Sequence, residues 1–409
     1  MRNSTPSDAD VVAAGCSAPP PASAKAGIVL FSLAVGGFAI GTTEFAAMSL
    51  VPYFSAELGI DAPTAGHVIS AYALGVVVGA PVIAVLGAKL SRRTLLIGLM
   101  AMFSIANLLS ALSPSYGWMM AFRFLSGLPH GAYFGVCALV AATLVPPNRR
   151  ARAVALAMLG LTIATTIGVP LATLLGQTVG WRWGFGAVGV LAAITACLCA
   201  GFAPRDRPAA GAGPLRELGA LKRSQVLLTL AIGAVGFGGM FAVYTYLAST
   251  LLTVTAAPPA VVPLIFAVFG VGLTLGTLAA AAAADRAQSA TIGTILVASV
   301  GILACYPFAV GSVSAMVAVV FAIGATGGLA TVLQTRLMDV AADAQTLAAA
   351  LNHSAFNVAN ALGPWLAGLA IAGGYGFASA GWVGSALAAA GIAIWLVSLW
   401  DDRRLRRRA

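Results

Sequence analysis

Followed along its hydrophobic and polar positions, the chain is a series of long apolar runs separated by short polar connections. A helix needs about 20 mostly apolar residues to cross roughly 30 Å of hydrocarbon. Runs of that length stand at 28–52, 66–88, 94–113, 116–145, 153–179 and 182–203, and again at 225–252, 261–284, 289–311, 313–338, 346–373 and 377–400; we number them spans 1 to 12. The longest polar connection, 204–224, holds Arg205, Asp206, Arg207, Arg216, Glu217, Lys222 and Arg223 and divides the spans six and six. This predicts an all-α membrane protein, with twelve transmembrane helices in two pseudo-symmetric six-helix bundles, the arrangement of a fused duplication. The expected parts are a disordered cytoplasmic tail (1–26), a first bundle (27–203), a cytoplasmic linker (204–224), a second bundle (225–400) and a basic tail (401–409).

Composition strengthens that reading. Hydrophobic residues make up 60% of the 409 and charged ones only 8%, whereas soluble domains carry roughly 25% charged residues. A water-soluble fold would have too few polar side chains to cover its surface. The net charge of +10 raises nucleic acid as a partner, but the bases sit in short connections and in the tail at Arg403, Arg404, Arg406, Arg407 and Arg408, so no basic domain exists to bind it. With a cytoplasmic N-terminus, the connections 89–93, 149–152, 285–286 and 336–345, the linker and the C-terminal tail all fall inside, and the opposite loops hold only Arg182 as a base. That positive-inside asymmetry predicts a multi-pass protein of the cell inner membrane with both termini cytoplasmic. Residues 1–26 lack the basic-then-apolar order of a cleavable signal. Cys16, Cys137, Cys197, Cys199 and Cys305 have no metal-type spacing, and no metal or cofactor is implied.

Three local patterns narrow the class. After span 2 comes Leu86-Gly87-Ala88-Lys89-Leu90-Ser91-Arg92-Arg93, a tight basic turn, and after span 8 comes Asp285-Arg286. Span 4 carries Arg123 and then Gly127, Gly131 and Gly135 at four-residue spacing, a flat strip for close helix packing. Span 5 carries Gly160, Gly168-Val169-Pro170 and Gly176-Gln177, followed by Gly180-Trp181-Arg182-Trp183, with a partial echo in span 11 at Gly363-Pro364 and Gly368. Together with Gly41-Thr42-Thr43-Glu44-Phe45 and Ala71-Tyr72-Ala73-Leu74-Gly75, these resemble the signatures of the major facilitator superfamily, in its twelve-span drug and proton antiporter branch and the arabinose and chloramphenicol efflux permease group. The resemblance implies efflux and a role for the span 4 arginine in proton transfer. It also implies gating or bending at Gly87, Lys89, Arg92, Arg93, Gly168, Pro170, Asp285, Arg286, Gly363 and Pro364. Ala88 stands where the family pattern has an aspartate, which leaves the charge pairing of the cytoplasmic gate open.

The polar residues inside the spans are the candidates for chemistry. Of twelve acids only Glu44 lies well within a span; burial disfavours its charged form, as a proton-coupled exporter requires. The bland alternative is a permanently protonated or Arg-paired structural acid. Arg123 is either a structural clamp or part of the transport machinery, and His130, on nearly the same helix face, is either a relay or a hydrogen-bonded helix residue. In span 11, His353, Asn357 and Asn360 at i, i+4, i+7, with Asn352 beside them, make a polar stripe for a hydroxyl- or amide-bearing substrate or for interhelical bonding. Tyr72 and Tyr244 complete the substrate candidates.

The expected function is proton-coupled efflux of a small amphipathic or polar molecule, a drug or a sugar, by alternating access. The partners would be the substrate, protons and the lipid bilayer, and the protein would be a monomer. A facilitator or importer with the same fold is the rival within transport. A polytopic membrane enzyme would need clustered acids or metal ligands, which the scattered His67, His130 and His353 do not supply.

Overall fold

The computed structural model describes residues 24–87, 90–146, 149–205, 223–341 and 345–406, and these residues are almost wholly helical. Span 1 is Ala24–Ser49, followed by a short helix Val51–Leu58 that ends on Gly59 in the left-handed region (φ 65°). Spans 2, 3 and 4 are Ala62–Leu86, Arg92–Ala111 and Tyr116–Thr143. The Ser91 hydroxyl caps span 3 by accepting from the Thr94 amide at 3.2 Å. Span 5 runs through Arg150–Ile163, a π-helical turn Ala164–Gly168 and Val169–Thr178, and span 6 is Trp181–Phe202.

In the second half, span 7 comprises Ser224–Ala231, a π turn Ile232–Gly236 and Gly238–Thr253. Spans 8 and 9 form one helical stretch, Val262–Ala309, of 48 residues, broken only at Ala287 (φ −155°, ψ 71°). At about 1.5 Å per residue it is roughly 72 Å long, enough for two crossings. The Asp285-Arg286 connection, expected as a loop, is therefore a bend in the helix: the surrounding alanines favour helix, and one non-helical residue reverses the chain. Span 10 is Val313–Ala325, a 3-10 turn Thr326–Gly328 and Leu329–Ala341; span 11 is Gln345–Ala370 with a π turn Ile371–Tyr375; span 12 is Ser379–Arg406. Twelve crossings place Ala24 and Arg406 on one side, called here the terminal side.

The π turn in span 5 has a local cause. Pro170 supplies no amide hydrogen and its ring crowds the carbonyl one turn earlier; widening that turn relieves the clash and bends the helix.

The duplication is visible in how glycines let backbones approach. A Cβ on Gly75 would lie 2.2 Å from the Phe124 carbonyl, one on Gly79 2.1 Å from that of Leu128, and one on Gly127 2.1 Å from that of Tyr72. Spans 8 and 10 repeat this contact: Gly272 meets Phe321 at 2.3 Å, Gly276 meets Ala325 at 2.0 Å, and Gly324 meets Phe269 at 2.4 Å. In these contacts each residue of spans 8 and 10 stands at the same remove in sequence from its counterpart in spans 2 and 4. Spans 1 and 5 are likewise repeated by spans 7 and 11, where Gly160 against the Ala34 carbonyl corresponds to Gly363 against that of Gly238.

Candidate functional site

The two halves meet closely on the face opposite the terminal side. Gly270 of span 8 crosses Thr165 and Thr166 of span 5, where a Cβ would stand 2.6 and 2.7 Å from their backbones. The Tyr246 hydroxyl lies between Gly66 of span 2 and Gly368 of span 11 and donates to the Pro364 carbonyl at 3.0 Å. The Ser70 hydroxyl donates to the Ala361 carbonyl at 3.0 Å, and the Gln177 amide nitrogen donates both to the Tyr53 hydroxyl at 3.0 Å and to the Pro259 carbonyl at 2.8 Å. Toward the terminal side the halves diverge around a cleft of about 580 Å³, partly continuous with solvent. Its walls come from the terminal-side portions of spans 5, 8, 10 and 11, with Phe237, Met240 and Phe241 of span 7 and His130 of span 4, and Glu44 lies at its inner end.

Of the sequence candidates, Glu44, His130, Asn352, His353 and Asn357 line this cleft, whereas Tyr72, Tyr244 and Asn360 do not. Tyr244 is buried against Phe266 and Phe269, with ring centroids 5.1 and 4.3 Å away, and packs edge-on to Phe45 at 5.6 Å. Its hydroxyl has no hydrogen-bond partner. Tyr72 donates or accepts a hydrogen bond with His130 Nδ1 at 2.8 Å. Asn352 reaches Gln334 on span 10 at 2.5 Å, and the Asn357 amide nitrogen bonds back to the His353 carbonyl at 3.0 Å. His353 crosses the boundary between halves: its ring stacks on Phe134 (5.3 Å, 6°) and lies 6.1 Å from that of His130.

Glu44 and Arg123 form no ion pair. The Asn360 amide nitrogen instead donates to Glu44 Oε1 at 3.3 Å. Arg123 is fully buried: Nη1 donates to the Thr43 hydroxyl at 3.1 Å, Nη2 to the Thr43 carbonyl at 3.3 Å, and the guanidinium carbon stands 4.3 Å from the centre of the Tyr72 ring. The Thr43 hydroxyl passes its own hydrogen to Asn107 Oδ1 at 2.6 Å. Spans 1, 2, 3 and 4 are thus tied together around one cation. The second half keeps the frame without the charge: Val320 occupies the place of Arg123 and Phe269 that of Tyr72, and both line a small apolar pocket with Tyr244 and Leu247.

The residues named for gating are spread along the helices. A Cβ on Gly168 would lie 2.2 Å from the Thr42 hydroxyl, so this glycine permits the contact of spans 1 and 5. Gly87 packs beneath Leu95, and Arg93 donates to the Ala200 carbonyl of span 6. Arg92 stands in the first turn of span 3. Arg286 donates to the Ala282 carbonyl at 3.1 Å beside the bend at Ala287. Lys89 and Ala88 lie outside the described residues, as do most of the linker and both ends of the chain.

The sequence reading missed part of the cleft wall. Thr162 and Thr165 of span 5, Thr274 and Thr277 of span 8, and Thr331 and Gln334 of span 10 all face it. Each pair is spaced i, i+3 in an apolar helix, a one-faced polar signature that was available in the sequence.

Comparison with known proteins gives concordant results. The family model described as Major Facilitator Superfamily matches residues 33–256. The chain is 40% identical over 371 residues to the inner membrane transport protein YdhP of Escherichia coli (strain K12), covering 90% of this chain and 94% of that protein. It is 35% identical over 354 residues to a chloramphenicol resistance protein of Streptomyces lividans, covering 83% and 88%. Among solved structures it superposes on the nucleoside transporter NupG with a TM-score of 0.74 at 12% identity, covering 90% of this chain and 99% of the other.

Proposed function

Since this chain belongs to the Major Facilitator Superfamily, we propose that it is a proton-coupled exporter, moving a small amphipathic or polar molecule across the inner membrane by alternating access. The observation that carries this reading is the position of Glu44. It is the only acid lining the cleft among the described residues, and its hydrogen bond to Asn360 joins the two halves. An acid placed there can bias the equilibrium between facing states, because protonation changes what it can bond to.

The terminal side is read as cytoplasmic, from the positive-inside distribution of bases. The structure then corresponds to a state open to the cytoplasm and closed outside, in which substrate enters the cleft against Phe237, Phe241 and Phe356 and the threonine pairs of spans 5 and 8. Rocking of the halves would open the outer face, and a proton taken up there by Glu44 would favour release. The name of the Streptomyces relative makes chloramphenicol the first substrate to try.

The test is export from everted or intact cells lacking their own pumps. Glu44→Gln is expected to abolish accumulation driven by a pH gradient while leaving substrate exchange at equal pH. Gradient-driven export at the wild-type rate in that variant overturns the proton role. A second reading follows from the same position, since Glu44 faces the cleft and can bind substrate directly in a facilitator. Counterflow that needs Glu44 but ignores collapse of the proton gradient favours it.

A further inference from the structure

Asn360 entered as a substrate contact, yet it is fully buried and does not face the cleft. Its amide nitrogen is used, donating to Glu44 Oε1 across the boundary between halves at 3.3 Å. Its carbonyl oxygen has no hydrogen-bond partner. An unpaired buried oxygen in a low-dielectric interior costs about 1–3 kcal/mol, so it calls for an explanation.

The chemistry of the two groups supplies one. A carboxylate only accepts hydrogen bonds, whereas a carboxylic acid also donates one; an amide carries a donor and an acceptor of almost the same shape. Rotation of the Asn360 side-chain amide by half a turn would bring the idle oxygen to Glu44. We propose that Asn360 is the positioning residue that conveys the protonation state of Glu44 to the second half, donating to the carboxylate and accepting from the acid. The inference rests on the proton-coupled reading above. The neighbouring asparagine does not share the role, since the Asn357 nitrogen is held by the His353 carbonyl on its own helix.

The exchange changes the tie between spans 1 and 11 without moving a charge between the halves. In the carboxylate state the bond is charge-assisted, and in the acid state it is neutral and weaker by roughly half. The halves are therefore held together more firmly when Glu44 is ionised, and protonation loosens them. The other titratable or charged groups around this point are Tyr72 on span 2, Arg123 and His130 on span 4, Tyr244 on span 7 and His353 on span 11. None of these is an acid that could substitute for Glu44.

The test needs no substrate. Spin labels at positions 61 and 375, on the outer ends of spans 2 and 11, report the distance across the outer face in a background whose cysteines are replaced. The wild-type distance distribution is expected to shift between alkaline and acid pH. Asn360→Leu, close in size and without polar atoms, should reduce that shift at least tenfold in population ratio, while Asn360→Ser, which keeps a donor and an acceptor on one atom, should retain most of it. Infrared spectra of the Glu44 carboxyl, identified by its loss in Glu44→Gln, provide a second readout: its C=O band should move in both Asn360 variants.

A wild-type pH response in Asn360→Leu overturns the inference and leaves proton coupling standing. If Asn360→Leu does not fold, an unmoved carboxyl band in Asn360→Ser overturns it. A pH response that survives Glu44→Gln instead overturns the proton-coupled reading on which it rests.

Discussion

Replacing Arg123 by Met separates a structural clamp from a working part. The guanidinium makes two hydrogen bonds to Thr43, at 3.1 and 3.3 Å, and stacks on Tyr72 at 4.3 Å. Hydrogen bonds from a charged donor are worth about 1.5–3 kcal/mol each, and a desolvated cation–π contact adds about 0.5–2 kcal/mol, so the gross loss is about 4–8 kcal/mol. Against this stands the cost of holding an unpaired cation fully buried, which is itself several kcal/mol. Met fills similar volume and imposes no such cost. Thr43 keeps its bond to Asn107, so the hydroxyl that Arg123 contacts is not orphaned.

The two terms nearly cancel, and Arg123→Met should shift stability by no more than about 2 kcal/mol in either direction, as replacement of buried charges by apolar residues often does. Transport should respond differently. If one charge-assisted bond is made in only one facing state, its loss moves the equilibrium by about 10- to 150-fold. The paired assay is thermal unfolding of the purified protein together with export per folded molecule. Destabilisation beyond about 4 kcal/mol with export per folded molecule intact would refute the reasoning and make Arg123 a clamp.

Three further outcomes follow from particular contacts. Gly127→Ala should destabilise by about 1–3 kcal/mol, because its methyl would meet the Tyr72 carbonyl at 2.1 Å. Gly135→Ala in the same strip, with nothing within 4 Å, should be neutral or stabilising by up to about 1 kcal/mol; equal effects in thermal unfolding would discredit the packing account. Gln177→Ala removes the outer-face bonds to Tyr53 and Pro259 and should raise labelling of a cysteine introduced at Ser70, on the closed contact with Ala361, by a membrane-impermeant thiol reagent several-fold. Asp61 accepts hydrogen bonds from the Thr64 side chain and backbone at the start of span 2, which hold its carboxyl below the usual carboxylate range. The cap therefore contributes fully above the ordinary carboxylate pKa of about 4 and is lost as pH falls through the lower folded value; Asp61→Ala should lower the unfolding temperature at pH 7, and the difference should vanish once acid protonates Asp61 in the folded protein.

Hydropathy read the architecture well because lipid requires each crossing helix to satisfy its own backbone and to present apolar side chains. The same rule explains what was hidden. Asp285-Arg286 marks where spans 8 and 9 part, but the alanines on either side favour helix, so the sequence does not show that the connection is a single bend at Ala287. The Gly75–Phe124 and Gly272–Phe321 contacts are contacts of backbone, and the identity of the opposing residue carries no trace of them. Within the site, the stripe of span 11 was legible at i, i+4, i+7, but the partners of its members were not. Asn352 turns to Gln334, Asn357 to its own helix and Asn360 to Glu44, three destinations set by the packing of different neighbours.

The unequal furnishing of two equivalent frames bears on how such a machine can be coupled. Where Arg123 rests on Tyr72 in the first half, Val320 and Phe269 meet in the second; where Glu44 stands on span 1, the matching position of span 7 is Ala248. Two buried acids in matched positions would titrate independently and let the halves respond separately. With one acid, the second half can answer only through a contact that crosses the boundary. Among the described residues, Asn360 makes that contact to Glu44, and His353 meets His130 and Phe134 beside it. On the proton-coupled reading proposed above, coupling would therefore depend on span 11 having a polar face that is not spent on substrate. Placing an acid at Ala248 should weaken rather than strengthen pH-driven export, because a proton bound there would carry no link across the halves, and an increase in protons moved per substrate by Ala248→Glu would contradict this.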